Sequence, residues 1–138
     1  MNSSSLPVAE FAFPGPLRDR LVAAILTGQK TTTTSLLVDY TVENEPLPTV
    51  GARQAVVDSS GTPVAVIETI AVEQVSLHKV SLTHAIDEGE GHSSVEEWRV
   101  DHEQFWHSEE EPAYLKDPAF MVDDDTVVVL ERFRLVSQ

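Results

Sequence analysis

Lys30 follows the short stretch "TGQ" and opens a run of four threonines, Thr31 to Thr34. An amine and a hydroxyl three residues apart can cooperate only if a tight turn brings positions i and i+3 together; on a regular strand Lys30 and Thr33 point to opposite faces. A lysine at the mouth of a sheet can clamp an anion or, with its pKa depressed by burial, act as a general base or nucleophile. The plain alternative is a solvated lysine at the start of a strand. Glu68 lies within "VAVIETIAV", on one face with Val64, Val66, Ile70 and Val72. A carboxylate in that setting must be ion-paired, protonated or turned toward a cleft. His84 and Glu88 are four residues apart and Arg99 and His102 three apart, so each pair shares a helical face. Arg99 and His102, with Trp98 and Trp106 nearby, join cationic to aromatic surface, the combination that holds phosphate and stacks a base. Tryptophan at helical spacing serves a core equally well. Arg18, Arg20 and Lys30 gather in one short segment, as a local cationic site or as solubilising charge.

Composition removes several other chemistries. The chain has no cysteine, which excludes disulfides, thiolate metal sites and cysteine nucleophiles. No HExxH is present, and "HEQFWH" lacks the spacing that puts two histidines on one helical face. GxSxG and P-loop patterns are absent, and "EGEGHSS" is too acidic to cradle phosphate. The runs "EEE" and "DDD" read as solvated loops, so neither a metal site nor a cofactor is expected. A net charge of −14 opposes binding to duplex DNA or acidic lipid. "MNSSSLPVAEF" has no basic or apolar signal region, and no apolar run approaches the ~20 residues of a membrane span. The expectation is a cytoplasmic protein with no membrane partner; its oligomeric state is not legible.

The elements that must position these side chains follow from periodicity. With 138 residues the chain suits one domain, expected over residues 14–138 behind a flexible tail over 1–13. Pro16 suits a first helical turn, Leu17, Leu21, Ala24 and Ile25 recur at helical spacing, and Gly28 suits the stop. Thr31 to Tyr40 is rich in β-branched residues and reads as a strand, followed by the loop "VENEPLPTVG". "RQAVVDSSGTPVAVIETIAVEQV" reads as a hairpin turning at Asp58–Gly61. A short helix begins after Ser81, with Leu82, Ala85 and Ile86 facing inward. A longer one begins after Ser94, whose capping box is closed by Glu97 and whose stripe is Val95, Trp98, His102 and Phe105. "DTVVVLERFRLV" is a closing strand. The order gives an α+β fold with a curled sheet.

"GQKTTTT", "PVAVIETIAV", and above all "HAIDEGEGHSSVEEWRVDHEQFW" followed by "DDDTVVVLERFRLV" resemble the ASCH domain family over about residues 14–136. The resemblance implies a small PUA-like β-barrel, a mixed curled sheet with helices around a cleft, and a ligand that is RNA or a small nucleoside. Some members of that family are amidohydrolases that deacylate N4-acetylated cytidine, and some are ribonucleases. The amidohydrolase pattern of a lysine, a threonine three residues later and a glutamate after a short helix falls on Lys30, Thr33 and Glu88 as catalytic candidates. Arg18, Arg20, Tyr40, Glu68, Arg99 and His102 are the corresponding substrate-binding candidates. The alternatives are a metal-independent ribonuclease and a non-catalytic RNA- or nucleotide-binding module. Two positions depart from the family pattern: Ala52 follows Gly51 where Asp is usual, and His92 stands where an Asp often follows "EGEG".

Overall fold

In a computed structural model of the chain, residues 6–108, 111, 115–116 and 119–137 are described. Two short strands and a helix open the chain: β1 (Val8–Ala9), α1 (Pro16–Thr27) and β2 (Thr32–Leu36). α2 (Leu37–Glu43), β3 (Arg53–Val57), β4 (Pro63–Ser76), α3 (Leu82–Asp87), α4 (Val95–Trp106) and β5 (Val127–Ser137) follow. The strands form one mixed sheet in the order β1-β3-β4-β5-β2. The β3–β4 hairpin forms where the turn residues place it, with Asp58 Oδ1 accepting from the backbone N–H of Ser60 and Thr62. The long strand β4 pairs with β3 on one side and β5 on the other, and breaks register at Val66/Ile67 and Thr69/Ala71. Such bulges bend a strand and increase its twist, so the sheet curls. It stays open, with β1 and β2 as its edges.

The sheet carries two apolar clusters. Under α1, Leu21, Val22 and Ile25 pack on Phe11, Val56, Ile67 and Phe133. Beneath α3 and α4, Trp98, Trp106 and Ala85 pack on Leu36, Leu77, Val128 and Leu130. The helix stops are those expected: Gly28 takes the left-handed conformation at φ 83°, and its N–H bonds Ile25 O. Ser81 and Ser94 cap α3 and α4 through their hydroxyls. Glu97 returns its bond to Ser93, one residue earlier than a standard capping box.

Three elements differ from expectation. The part of the expected tail that is described is ordered, because Phe11 is apolar enough to be drawn into the core against Phe133. Val8–Ala9 then runs parallel to Ala55–Val56; residues 1–5 lie outside the described residues, as do Glu109 and Glu110 of the acidic run. The expected strand from Thr31 to Tyr40 ends at Leu36 and turns into α2. Asp39 in the first turn suits the helix dipole, and Asn44 takes the left-handed stop at φ 53°. Finally, α3 is rotated about its axis relative to the expected face. Ala85 and His84 are buried while Leu82 and Ile86 are exposed, because β2 binds the polar side of this helix.

Candidate active site

The threonine run and α3 are tied together by the helix's own C-terminal carbonyls. Thr31 N–H donates to Asp87 O at 2.8 Å, and the Thr32 hydroxyl donates to His84 O at 2.9 Å. These bonds satisfy acceptors that a helix end leaves free. Gly89 completes the junction. It has φ +76°, and a Cβ there would lie 2.6 Å from Gln29 O and 2.8 Å from Lys30 N. The absence of a side chain is therefore what lets the "GEG" turn press against the Gln29–Lys30 peptide and bring Glu88 to Lys30.

Glu88 is 1% exposed, and its two oxygens are contacted from β2, α3, α4 and the loop that follows α1. Oε2 accepts from Thr34 Oγ1 at 2.6 Å and from Trp98 Nε1 at 2.9 Å, with His84 Nε2 3.3 Å away. Oε1 faces His102 Nε2 at 3.0 Å and Lys30 Nζ at 3.9 Å. The Lys30 ammonium, 3% exposed, donates to Thr32 O at 2.7 Å and lies 5.8 Å from the Phe11 ring centroid. The site thus bridges the two apolar clusters, with Phe11 on one side and Trp98 on the other.

Charge follows from this geometry. Burial disfavours the Glu88 carboxylate, but hydrogen bonds from His102 and His84 and the charges of His102 and Lys30 outweigh it, holding its pKa well below the ordinary range. Burial likewise opposes a charged His102, and the Glu88 bond and charge override it, raising the imidazole. His102 Nδ1 faces the Trp98 carbonyl at 2.8 Å and must donate to it. Its Nε2 faces an ionised carboxylate, so both nitrogens carry protons. Lys30 goes the other way: burial lowers its pKa, and the charges of Glu88 and Glu90 only partly compensate. Burial raises the Glu90 carboxyl, against the pull of Lys30.

Oxygens of Glu88 and Glu90 and a ring nitrogen of His102 lie within 4.8 Å of one another, a spacing that could hold a cation. Here His102 and the Lys30 ammonium supply the positive charge that faces the two carboxyl groups. Beside the cluster, a groove of about 270 Å³ runs between α1 and the "GEG" turn, lined by Arg20, Leu21, Ala24, Thr27, Gln29 and Glu90.

Of the nine candidates, Lys30, Glu88 and His102 converge, and Arg20 lines the adjoining groove. Thr33 does not join them. Thr32 and Thr34 face α3, so strand alternation turns Thr33 to the opposite face, where it pairs with Glu131. Lys30 reaches Glu88 from a position in step with Thr32 and Thr34, without the tight turn that a Lys30–Thr33 pair needs. Tyr40 is on that other face as well, bonded to Ser35 and pushed up in pKa by burial. Arg18 is buried as a clamp on the carbonyls of Phe11, Ala12 and Asp58. Glu68 lies on the sheet face opposite Ala65, Ile67 and Thr69, in register with Arg53 and Arg134, and pairs with both, and Arg99 is held by Glu103 and Asp124. Thr34, Trp98 as a donor, and Glu90 were not anticipated in these roles; the period-2 spacing of Lys30, Thr32 and Thr34 was the available signal for the first.

A family model described as the ASCH domain matches residues 10–137. The chain belongs to the ASCH domain family. Two crystal structures share the fold across nearly the whole chain. An ASCH domain from Lactobacillus crispatus JV V101 has a TM-score of 0.83 at 29% identity, covering 97% of this chain and 81% of its own. A protein from Enterococcus faecalis V583 has a TM-score of 0.82 at 30% identity, covering 95% and 76%. No curated protein matches the sequence. The ASCH fold is PUA-like, a fold of RNA-binding proteins. Among the described residues no helix is long and apolar enough to cross a membrane.

Proposed function

We propose that this ASCH domain hydrolyses an N-acylated nucleoside, removing the acyl group from an N4-acylated cytidine, with Lys30, Glu88 and Thr34 as the reaction centre. The observation that carries this reading is the approach of Lys30 Nζ and Thr34 Oγ1 to opposite oxygens of one buried carboxylate, at 3.9 and 2.6 Å. Burial lowers the Lys30 pKa, which brings its neutral amine within reach of a general base. In the proposed step the amine takes a proton from water as the water oxygen bonds to the acyl carbon. The ionised Glu88 stabilises the ammonium so formed, the ammonium returns the proton to the leaving N4 as the bond from N4 to carbon breaks, and the carboxylic acid released gives its own proton to the regenerated Lys30 amine. The groove beside Arg20, Gln29 and Glu90 is the seat for the nucleoside.

The test is turnover of N4-acetylcytidine by the parent, Lys30→Arg, Lys30→Ala and Glu88→Gln, with circular dichroism to confirm folding. A guanidinium keeps its proton at working pH, so Lys30→Arg is expected to lose activity as fully as Lys30→Ala. Substantial activity in Lys30→Arg would sink the base role.

A second reading has its own observation. Both Glu88 oxygens and the Lys30 amine are already engaged by protein groups, as in a site that binds a nucleotide or single-stranded RNA without reacting. Titration of labelled RNA at several salt concentrations tests it. The expected binding is weak, with a small salt slope, because a chain with few free cations neutralises few phosphates. A parent inactive on N4-acetylcytidine that binds RNA in this way favours the module, and cleavage of the RNA favours the ribonuclease.

A further inference from the structure

The groove beside the Glu88 cluster holds two opposite charges that do not pair. α1 lines it with Arg20, Ala23, Ala24 and Thr27, followed by Gln29, and the turn after α3 lines it with Glu90. The spacing i, i+3, i+4, i+7 puts the four helical residues on one face, and the two alanines leave its middle open. Arg20 and Thr27 are separated by about 10 Å along the helix axis. The Thr27 end adjoins the Gln29–Lys30 peptide against which Gly89 is pressed, so Arg20 marks the end of the groove remote from the reaction centre.

Glu90 joins the near end to the chemistry, since its carboxyl comes within 4.8 Å of Glu88 and His102. Arg20 is exposed and Glu90 half-buried, and neither side chain makes a hydrogen bond or ion pair with another described residue. Arg20 differs in this from every other arginine of the chain. Arg18 clamps backbone carbonyls, Arg53 and Arg134 hold Glu68, Arg99 holds Asp124 and Arg132 holds Asp87. In a chain of net charge −14, a guanidinium left without a carboxylate is open to an anion, and its planar fork matches phosphate. At the opposite end a Glu90 oxygen can accept an N–H. A pyrimidine nucleotide carries the two complementary groups at its extremities, the exocyclic N4–H and the 5′-phosphate. The volume of about 270 Å³ is near the small end of the range for ligand sites and gives room for one nucleotide.

The geometry points to an N4-acylated cytidine 5′-monophosphate as the substrate, with Arg20 binding the phosphate and the Glu90 carboxyl accepting the N4–H. This deepens the hydrolase reading and rests on it. Bound in this direction, the acyl group on N4 lies at the Glu90 end, next to Lys30 and Glu88, and the bonds made and broken are those already given. Arg20 touches no reacting atom; it sets specificity. A free nucleotide fits the groove better than a strand of RNA, because one unpaired arginine neutralises one phosphate and a strand presents several.

The experiment measures kcat and KM of the parent, Arg20→Ala and Arg20→Lys on N4-acetylcytidine and on N4-acetylcytidine 5′-monophosphate, and of the parent on a single-stranded RNA containing N4-acetylcytidine. Position 20 is exposed and without a partner, so the variants keep the fold. The parent should favour the nucleotide about 10-fold or more in kcat/KM, the effect of a charge-assisted pair. Arg20→Ala should abolish that preference through KM rather than kcat, and Arg20→Lys should keep part of it. No preference in the parent, or one that survives in Arg20→Ala, overturns the assignment and leaves the hydrolase reading intact. RNA turned over as efficiently as the free nucleotide overturns the choice of a free nucleotide. Binding of cytidine and of cytidine 5′-monophosphate, read by calorimetry, needs no turnover. Tighter binding of the nucleotide that is lost in Arg20→Ala supports the phosphate seat even where the parent is inactive on every N-acylated cytidine, a result that sinks the hydrolase reading alone. Equal binding of the two by the parent overturns the seat.

Discussion

Valine substitutions at Thr34 and Thr33 separate the two faces of β2. The Thr34 hydroxyl donates to Glu88 at 2.6 Å and shares a 2.8 Å bond with His84 Nε2. Because the proton of this hydroxyl is committed to Glu88, His84 must be the donor of that second bond. Valine keeps the branched shape and removes both bonds. Losing a charge-assisted donor to a buried carboxylate costs about 1.5–3 kcal/mol, and His84, still 3.3 Å from Glu88, adds about 0.5–1 kcal/mol. The expected destabilisation of Thr34→Val is therefore about 2–4 kcal/mol. Thr33 faces away from this cluster, and valine favours a strand, so Thr33→Val should stay within about 0.5 kcal/mol of the parent. Urea denaturation followed by tryptophan fluorescence reads both, since Trp98 is fully buried and bonds the same carboxylate. Equal shifts, or a larger loss in Thr33→Val, would refute the assignment of Thr34 to the cluster.

Gly89→Ala should cost about 2–4 kcal/mol in the same assay, from a positive φ and a Cβ at 2.6 Å from Gln29 O. Stability should also fall at both ends of the pH scale. Glu88, depressed below its ordinary 4.5, contributes stability above that pH, which is lost as pH drops through its folded value; His102, raised above 6.5, contributes below 6.5 and is lost as pH climbs through its folded value. His102→Gln should flatten the alkaline limb of the urea midpoint against pH. Asp39 and Glu111 behave oppositely, because burial raises them to about 6 and about 7, which favours their protonated forms. Their contribution declines as pH rises from about 4 to 7, and Asp39→Asn should raise the midpoint at pH 8 with little effect at pH 4. Glu68→Gln should leave the midpoint unchanged, as its ion pairs with Arg53 and Arg134 face solvent.

Local rules made the helices and the hairpin legible because their signals are short-range. Pro16, Gly28, Ser81, Ser94 and the Asp58–Gly61 turn act within a few residues of themselves. What the sequence left open depends on contacts distant along the chain. Burial of Phe11 against Phe133 orders the segment expected to be a tail, across 122 positions that no local pattern spans. The face of α3 is chosen by Thr31 and Thr32, more than fifty residues earlier. Its apolar Leu82 and Ile86 pointed to the wrong side because hydrophobic spacing cannot register hydrogen bonds made by another element. The choice of Thr33 came from the family spacing, whereas regular strand geometry places Thr34 against Glu88. Glu68 shows the same limit from the other direction: valines and isoleucines flank it on both faces of β4, the face packed under α1 is that of Ala65 and Ile67, and Glu68 is left on the other one, opposite two arginines.

The composition of the cluster bears on why it exists. A buried ion pair is seldom more stabilising than apolar side chains of similar volume, since desolvation offsets the attraction. Glu88, His102, Lys30, Thr34 and His84 occupy the seam between two apolar clusters, where leucine and valine would pack without any hydrogen-bond requirement. The arrangement also works against itself as a purely structural device, because burial lowers the very lysine whose charge would complete the pair. A structural pair is strongest when both partners stay charged. A reactive one needs a base whose proton can leave, and the lowered pKa of Lys30 beside an ionised Glu88 meets that requirement.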